Sequence, residues 1–339
     1  MHFIPKKHWK EFWIAQFKIF YALSKINLNA SFVKMYDIIT LGSATVDIFV
    51  KSKNETIKHE KNGEMHRDIA YHLGEKILIN NLMITSGGGG TNTAVAFSRL
   101  GLKTGFIGVL GNDPNAELIS SELRKENVEF LGKIKTGSTG LSIILPGNED
   151  RAILTHKGVN DELDSAFLPE TKWVYISTML GKSFKTAENV AIEAKKRNIK
   201  VAFNPSLYLA KQGFSKLKKI LSCCDILVLN KEEAHALTGK QHQKEMLETL
   251  AFHVNGTIVI TNATNKIYAL SGKEFYSLQP SKIKVVDATG AGDAFASGFV
   301  YGMMSGHRVQ QSLKYGLIES HAVLGAIGAK NNLLSHFGY

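Results

Sequence analysis

The 339-residue chain has little proline and almost no cysteine, with 6 Pro and 2 Cys. So few prolines, in a chain that is 44% hydrophobic and 21% charged, exclude collagen-like and low-complexity disordered classes. Cys223 and Cys224 are adjacent and cannot form a normal bridge with each other, which excludes a disulfide scaffold. They open onto the apolar run Cys224–Leu229, where buried, inert thiols are expected. No CxxC pair is present, and the 12 His show no HExxH-type spacing, which argues against a structural zinc site. No run of 18 apolar residues occurs, so no membrane-spanning helix is expected. Together these absences point to a reduced, cytoplasmic compartment. The length suits one large domain or two smaller ones.

A formal charge of +11 raises the question of nucleic acid, and its distribution answers against it. Residues 1–34 carry six Lys against one Glu, while the remainder carries 35 basic against 29 acidic residues. The positive charge is spread out, with no Arg-rich stripe interleaved with aromatics. A modest positive field suits an anionic small molecule such as a nucleotide.

Residues 1–34 form a segment apart. Wound as a helix, Trp9, Phe12, Trp13, Phe17, Phe20 and Leu23 share one face and Lys7, Lys18, Lys25 and Glu11 the other, with Ile14 and Tyr21 out of register. A basic amphipathic helix of this kind fits three readings. It could lie on an anionic membrane, pack on the domain or a second copy, or be an extension upstream of a true start at Met35. Residues 35–339 are expected to form the working domain.

Within that domain, Tyr36–Gly42 reads as a short buried strand ended by glycine. Ala94–Leu100 reads as a helix capped by Gly101, Thr104–Leu110 as a strand and Asn115–Asn127 as a helix. After residue 170, apolar strands at 173–177, 200–204, 226–229 and 257–261 alternate with helices near 184–197, 211–221 and 231–237. That pattern predicts βαβ units and a parallel sheet covered on both faces. Half-polar, alternating stretches at about 48–60, 74–84 and 138–156 do not belong in such a sheet. They are predicted to form a small separate sheet with one wet face, a lid over the main domain, with a hairpin around Pro146-Gly147-Asn148.

Two glycine clusters carry the chemistry. In Ser86-Gly-Gly-Gly-Gly-Thr-Asn-Thr-Ala94, four glycines at a helix start let backbone N–H groups approach a ligand, and Asn92 adds a donor and an acceptor. In Val285-Val-Asp-Ala-Thr-Gly-Ala-Gly-Asp293, Val285 and Val286 are predicted to end a strand, and a helix continues from Asp293 to Met304. A helix N-terminus lined by small residues is a natural anion hole. Asp287 and Asp293 beside it would repel an anion unless one does chemistry or holds a cation. A carboxylate beside a phosphoryl site is what a kinase needs to take the proton from an attacking hydroxyl. GxxxxGK[ST] and the HRD/DFG set are absent, so neither a P-loop protein nor a protein kinase is expected.

These two clusters resemble the motifs of the ribokinase-like (PfkB) family of sugar and nucleoside kinases, over about residues 36–334. Asp-x-Thr-Gly-Ala-Gly-Asp is the more specific of the two, and Gly-Gly-x-x-x-Asn-x-Ala the less. Gly42-Ser-Ala-Thr-Val-Asp47, Leu229-Asn-Lys-Glu-Glu233, Thr139–Ser142 and Gly158–Asn160 match further family patterns in order. The resemblance implies an α/β fold, a three-layer sandwich with a mostly parallel central sheet and a small β lid. It implies ATP and Mg2+, with K+ as a monovalent cofactor, a sugar or nucleoside as acceptor, and a homodimer through the lid.

The resemblance also assigns roles to residues. Asp293 would be the base, and the N–H groups of Gly290, Ala291 and Gly292 the anion hole. Asp47, Gly88 and Asn92 would hold the acceptor's hydroxyls. Asn230, Thr261, Lys266 and His321 would contact the nucleotide. Glu233 would order magnesium through water, and Asp287 and Thr289 would border the monovalent cation. One stretch departs from the family and keeps open a second class of reading, a non-catalytic ligand-binding or regulatory protein. The family's glycine-containing turn after strand 257–261 is here Asn262-Ala-Thr-Asn-Lys266, where asparagine is expected to take the left-handed angles instead.

Overall fold

Runs of β-branched and aliphatic residues with no polar face form strands only where both faces are covered. Tyr36–Leu41 (β1), Thr171–Ile176 (β12), Lys200–Phe203 (β13), Ile226–Asn230 (β14) and Thr257–Thr261 (β15) are such runs. The computed structural model, which describes residues 34–52, 55–61, 64–146 and 151–337, places them side by side and parallel. Beyond β1 the sheet continues with Thr104–Ile107 (β6) and Glu129–Phe130 (β8), also parallel. Beyond β15 it ends in antiparallel Ile267–Ser271 (β16) and Glu274–Leu278 (β17). The order is β17-β16-β15-β14-β13-β12-β1-β6-β8.

Helices cover both faces. On one lie Gly89–Arg99 (α1), Ala291–Met304 (α8) and Val309–Leu324 (α9). There Phe97, Phe295 and Phe299 pack on Ile38, Tyr175, Val228 and Val259. On the other lie Gly181–Lys196 (α3), Gly213–Cys223 (α5), Lys231–Thr238 (α6) and Gln243–Ala251 (α7). There Phe184, Leu217, Ile220 and Leu247 pack on Ile39, Val174, Leu227 and Ile258. Pro114–Lys125 (α2) closes the β6 end, with Ile119 and Leu123 buried. The result is the parallel sheet covered on both faces that the sequence pattern predicted, in the three-layer α/β sandwich that the family resemblance implied.

A second sheet stands apart. Thr45–Ser52 (β2), Ile79–Gly87 (β5), Gly140–Pro146 (β10) and Arg151–His156 (β11) pair in the order β11-β10-β2-β5. Glu55–Lys61 (β3) and Glu64–Ala70 (β4) form a hairpin of their own. These strands occupy much of the three expected lid stretches, with shifted bounds: 74–78 lies outside any strand, and β2 begins at Thr45, so Asp47 sits in a lid strand and not in the preceding turn.

Two expectations are corrected. Val285 and Val286 end no strand. They are about half exposed, and Val286 N–H donates to the carbonyl of Leu324. The helix expected from Ala94 begins five residues earlier, taking three of the four glycines into or next to its first turn. The amphipathic segment lies outside the described residues over 1–33, as does the hairpin tip at 147–150. Among the described residues no helix is long and apolar enough to cross a membrane.

Candidate active site

A parallel sheet exposes the ends of its strands in a row, and loops leaving those ends face one cleft. Here that row is Ser43 after β1, Ser177 and Thr178 after β12, Asn204, Pro205 and Ser206 after β13, Asn230 ending β14, and Thr261 ending β15. All line one cavity of about 380 Å³. Its other wall is the start of α8, with Ala288, Gly290, Gly292 and Asp293, joined by Gly89 from α1 and Arg151 from lid strand β11. Arg151 is the cationic side chain among these lining residues.

The mouth of α8 explains its glycines. Gly290 is the N-cap at φ 76°, a left-handed conformation, and a Cβ there would lie 2.5 Å from the side chain of Ala329. Gly292 differs: a Cβ on it would meet nothing within 4 Å, so its lack of a side chain leaves room in the cleft. Ala294 N–H donates to Gly290 O at 2.9 Å and Ala291 N–H to Ala288 O at 3.4 Å. Ala291 N–H thus already has a distant acceptor and Ala294 N–H closes the first turn, and a helix end of this kind carries partial positive charge.

Asp293 is the third residue of α8. Asn92 Nδ2 donates to its Oδ2 at 2.8 Å, and its Oδ1 faces Gly89, within 3.4 Å of where a Cβ would stand. Burial raises its pKa above the carboxylate norm, Asp47 adds to the rise, and Asn92 and the Lys330 ammonium oppose it. Asn92 itself is buried, and its Oδ1 has no hydrogen-bond partner among the described residues. An unpaired buried acceptor beside the carboxylate is suited to a hydroxyl donor.

Asp47, 5% exposed, is near enough to act on Asp293 electrostatically. It accepts from Thr45 Oγ1 at 2.9 Å and from Ser142. Gly87 is a glycine for a local reason, since a Cβ there would overlap the Asp47 carboxylate. Gly88, at φ 96°, caps α1 against the Ser43–Ala44 backbone.

Asn230 and Glu233 turn out to be a capping box. Asn230 Oδ1 accepts from Glu233 N–H at 2.8 Å, and Glu233 Oε2 accepts from Asn230 N–H at 2.9 Å. Both also line the cleft, and burial, with Glu232 and Asp293 nearby, pushes Glu233 up to about 7. Such a carboxylate would be relieved by a cation. Among the described residues no group of three His, Cys, Asp or Glu could hold an ion alone. A carboxylate oxygen is the kind of donor a hard cation such as magnesium accepts.

Asp287 is spent on the loop. Its Oδ1 takes the N–H and hydroxyl of Thr289 at 3.0 and 2.8 Å, and its Oδ2 the N–H of Gly328 at 2.9 Å. The turn after β15 corrects the asparagine expectation, because Ala263 takes the left-handed conformation at φ 45°. Lys266 is exposed and His321 half-buried on α9, and neither is among the cleft-lining residues. Sequence reading missed Ser43, Ser177, Asn204, Ser206 and Arg151. The first four were findable, since each follows the carboxyl end of a parallel strand.

Residues 38–335 match a family model described as pfkB family carbohydrate kinase. The chain is 27% identical over 315 residues to a 5-dehydro-2-deoxygluconokinase of Bacillus subtilis, covering 86% of this chain and 90% of that one. It is 26% identical over 273 residues to a ribokinase of Haemophilus influenzae, covering 77% and 88%. Its fold superposes on adenosine kinase from Sinorhizobium meliloti with a TM-score of 0.73 at 23% identity, covering 88% and 97%. It superposes on Arabidopsis thaliana ribokinase at 0.68 and 21%, covering 88% and 95%.

Proposed function

The chain belongs to the pfkB family of carbohydrate kinases, and we propose that it moves the γ-phosphoryl group of ATP to a hydroxyl of a small sugar or sugar derivative, with Asp293 as the base. The observation that carries this reading is the Asp293 carboxylate at a glycine-lined helix mouth, one oxygen held by Asn92 and the other facing Gly89 beside Ser177, with open space over Gly292.

The acceptor's hydroxyl would donate to Asp293, which takes its proton as the oxygen attacks. The Oδ1 of Asn92 would accept from a second hydroxyl, and Asp47 would hold a third. The N–H groups of Gly290, Ala291 and Gly292 would face the charge spread over the transferred group, which phosphoryl transfer requires more than covalent help. Glu233 and Asn230 would order the waters of magnesium, whose charge offsets that of the phosphates. Asp287 and Thr289 would border a potassium ion. The lid strands would exclude water, so that the nucleotide is not simply hydrolysed.

A sugar is preferred over a nucleoside because no aromatic side chain is among the described residues lining the cleft, so a base finds no stacking surface there. A nucleoside is the second reading. It offers the same ribose hydroxyls, and a relative of the same fold is named adenosine kinase. ATP consumption with ribose, fructose, keto-deoxy sugar acids and adenosine, each with and without potassium, tests both. Turnover of a sugar supports the first, turnover of adenosine alone supports the second, and no turnover of any overturns the enzyme reading. We assign the assembly as a homodimer through the lid, where Leu82, Ile84 and Leu154 are about half exposed on one apolar sheet face.

A further inference from the structure

Lys330 is 5% exposed, an uncommon place for an ammonium. Its Nζ donates to Glu122 Oε2 of α2 at 2.7 Å and to the hydroxyl of Ser86, the residue before the first glycine cluster. Ser86 also donates to Glu122. The backbone beside it is tied just as closely. Arg99, at the end of α1, donates to the carbonyl of Lys330 at 2.9 Å while it pairs with Glu126 at 2.7 Å. Ala329 packs where a side chain on Gly290 would be, and Gly328 N–H holds Asp287. One short segment thus touches both glycine motifs, the first through a side chain and the second through the backbone. The same ammonium acts electrostatically on Asp47 and Asp293, the two carboxylates proposed to hold the acceptor.

We propose that Lys330 is a positioning residue, a buried cationic strut that fixes the acceptor-binding turn at 86–92 against the anion-hole loop at 287–292. An alternative is that Lys330 does nothing but neutralise Glu122, and the two differ in what they predict. The strut requires the ammonium itself at Ser86. Neutralisation is satisfied equally when both charges are removed.

The test compares Lys330→Met, Lys330→Arg, Ser86→Ala and the double variant Lys330→Met/Glu122→Gln. Amide hydrogen exchange in the full chain is the first readout and needs no activity. In Lys330→Met, exchange over 86–92 and 287–292 should rise about tenfold or more while the β12–β15 core is unchanged. Lys330→Arg should largely restore protection, and the double variant should not. Ser86→Ala, a milder cut of the same link, should loosen 86–92 even if Lys330→Met fails to fold. The second readout rests on the kinase reading. With the best acceptor from the panel, Lys330→Met should lower kcat and raise acceptor KM, together about 100-fold in kcat/KM, with KM for ATP nearly unchanged. A double variant with wild-type protection at both segments overturns the strut, as does loosening spread evenly over the fold. A wild-type chain silent toward every acceptor would sink the kinase reading, and the exchange result would still decide the strut.

Discussion

Two glycines two residues apart make opposite demands. Gly290 is needed by the protein, because its backbone is left-handed and Ala329 fills the space of a side chain. Gly292→Ala meets no protein atom and adds a better helix former in the first turn of α8. Gly290→Ala should therefore lower the melting temperature and destabilise the fold by about 1–3 kcal/mol. Gly292→Ala should leave stability equal or higher by up to about 1 kcal/mol and still cut kcat. Thermal melting and turnover measured on both variants separate a structural glycine from one kept for the phosphoryl group. Ala263, in the left-handed conformation two residues after the cleft-lining Thr261, carries strain of the kind glycine avoids. Ala263→Gly should stabilise the chain by up to about 1 kcal/mol in urea unfolding, and an unchanged midpoint would contradict that conformation.

Glu319 on α9 is fully buried. Its Oε1 accepts from Leu334 N–H, and its Oε2 has no partner among the described residues. Burial pushes it up to about 7 from an ordinary 4.5, with Arg99 opposing. The folded state therefore holds its proton more tightly than the unfolded chain. The stability it contributes is full below about pH 4.5 and is lost as pH rises through about 7, a change of about 3 kcal/mol at 1.36 kcal/mol per unit. Glu233 shares that sign, so Glu319→Gln should flatten only part of the decline between pH 5 and 8 in urea unfolding. An undiminished slope would show that Glu319 titrates normally.

At the scale of elements, the Asn-x-x-Glu spacing was legible as a motif but not as the local structure it makes. A capping box and a metal motif share one spacing, because each needs a side chain to reach back one helical turn. Asn230→Ala should cost about 1 kcal/mol by freeing the first turn of α6. On the proposed reading it should also weaken nucleotide binding beyond what that destabilisation explains, which titration calorimetry with Mg·ATP reads directly. The parallel strands β12–β15 were legible from their unbroken apolar runs and short helices. Strands β16 and β17 were not: β17 is a mostly exposed edge strand, and β16, although Ile267, Ala269 and Leu270 are buried, is a five-residue antiparallel run outside the strand–helix alternation. Neither was the irregular stretch at 285–286, where two valines imitate a strand but sit half exposed, outside any sheet. In the site, Asp293 and the glycines were readable from local spacing. Lys330, Arg151 and the orphan oxygen of Asn92 depend on contacts across hundreds of residues, which no local pattern encodes.

At the scale of the whole molecule, the lid sheet carries Leu82, Ile84 and Leu154 about half exposed on one face, the face proposed to meet a second copy. A homodimer that buries this face should become monomeric in Leu82→Lys/Ile84→Lys, read by light scattering, with little change in the melting of the main sheet. A wild-type chain that is already monomeric at micromolar concentration would refute that assembly. The main sheet lines the cleft with its strand ends, the lid adds Arg151 to the wall, and α8 brings Asp293 to the mouth.

The most direct measurement is phosphoryl transfer from ATP to the best acceptor of the panel by wild type and by Asp293→Asn, alongside the melting temperature and ATP affinity of each. The expected result is a loss of about 10²–10⁴-fold in kcat with folding and ATP binding retained, since the amide keeps the Asn92 contact but cannot take a proton. An Asp293→Asn variant that turns over at the wild-type rate would contradict the assignment of the base and, with it, the reading of the cleft.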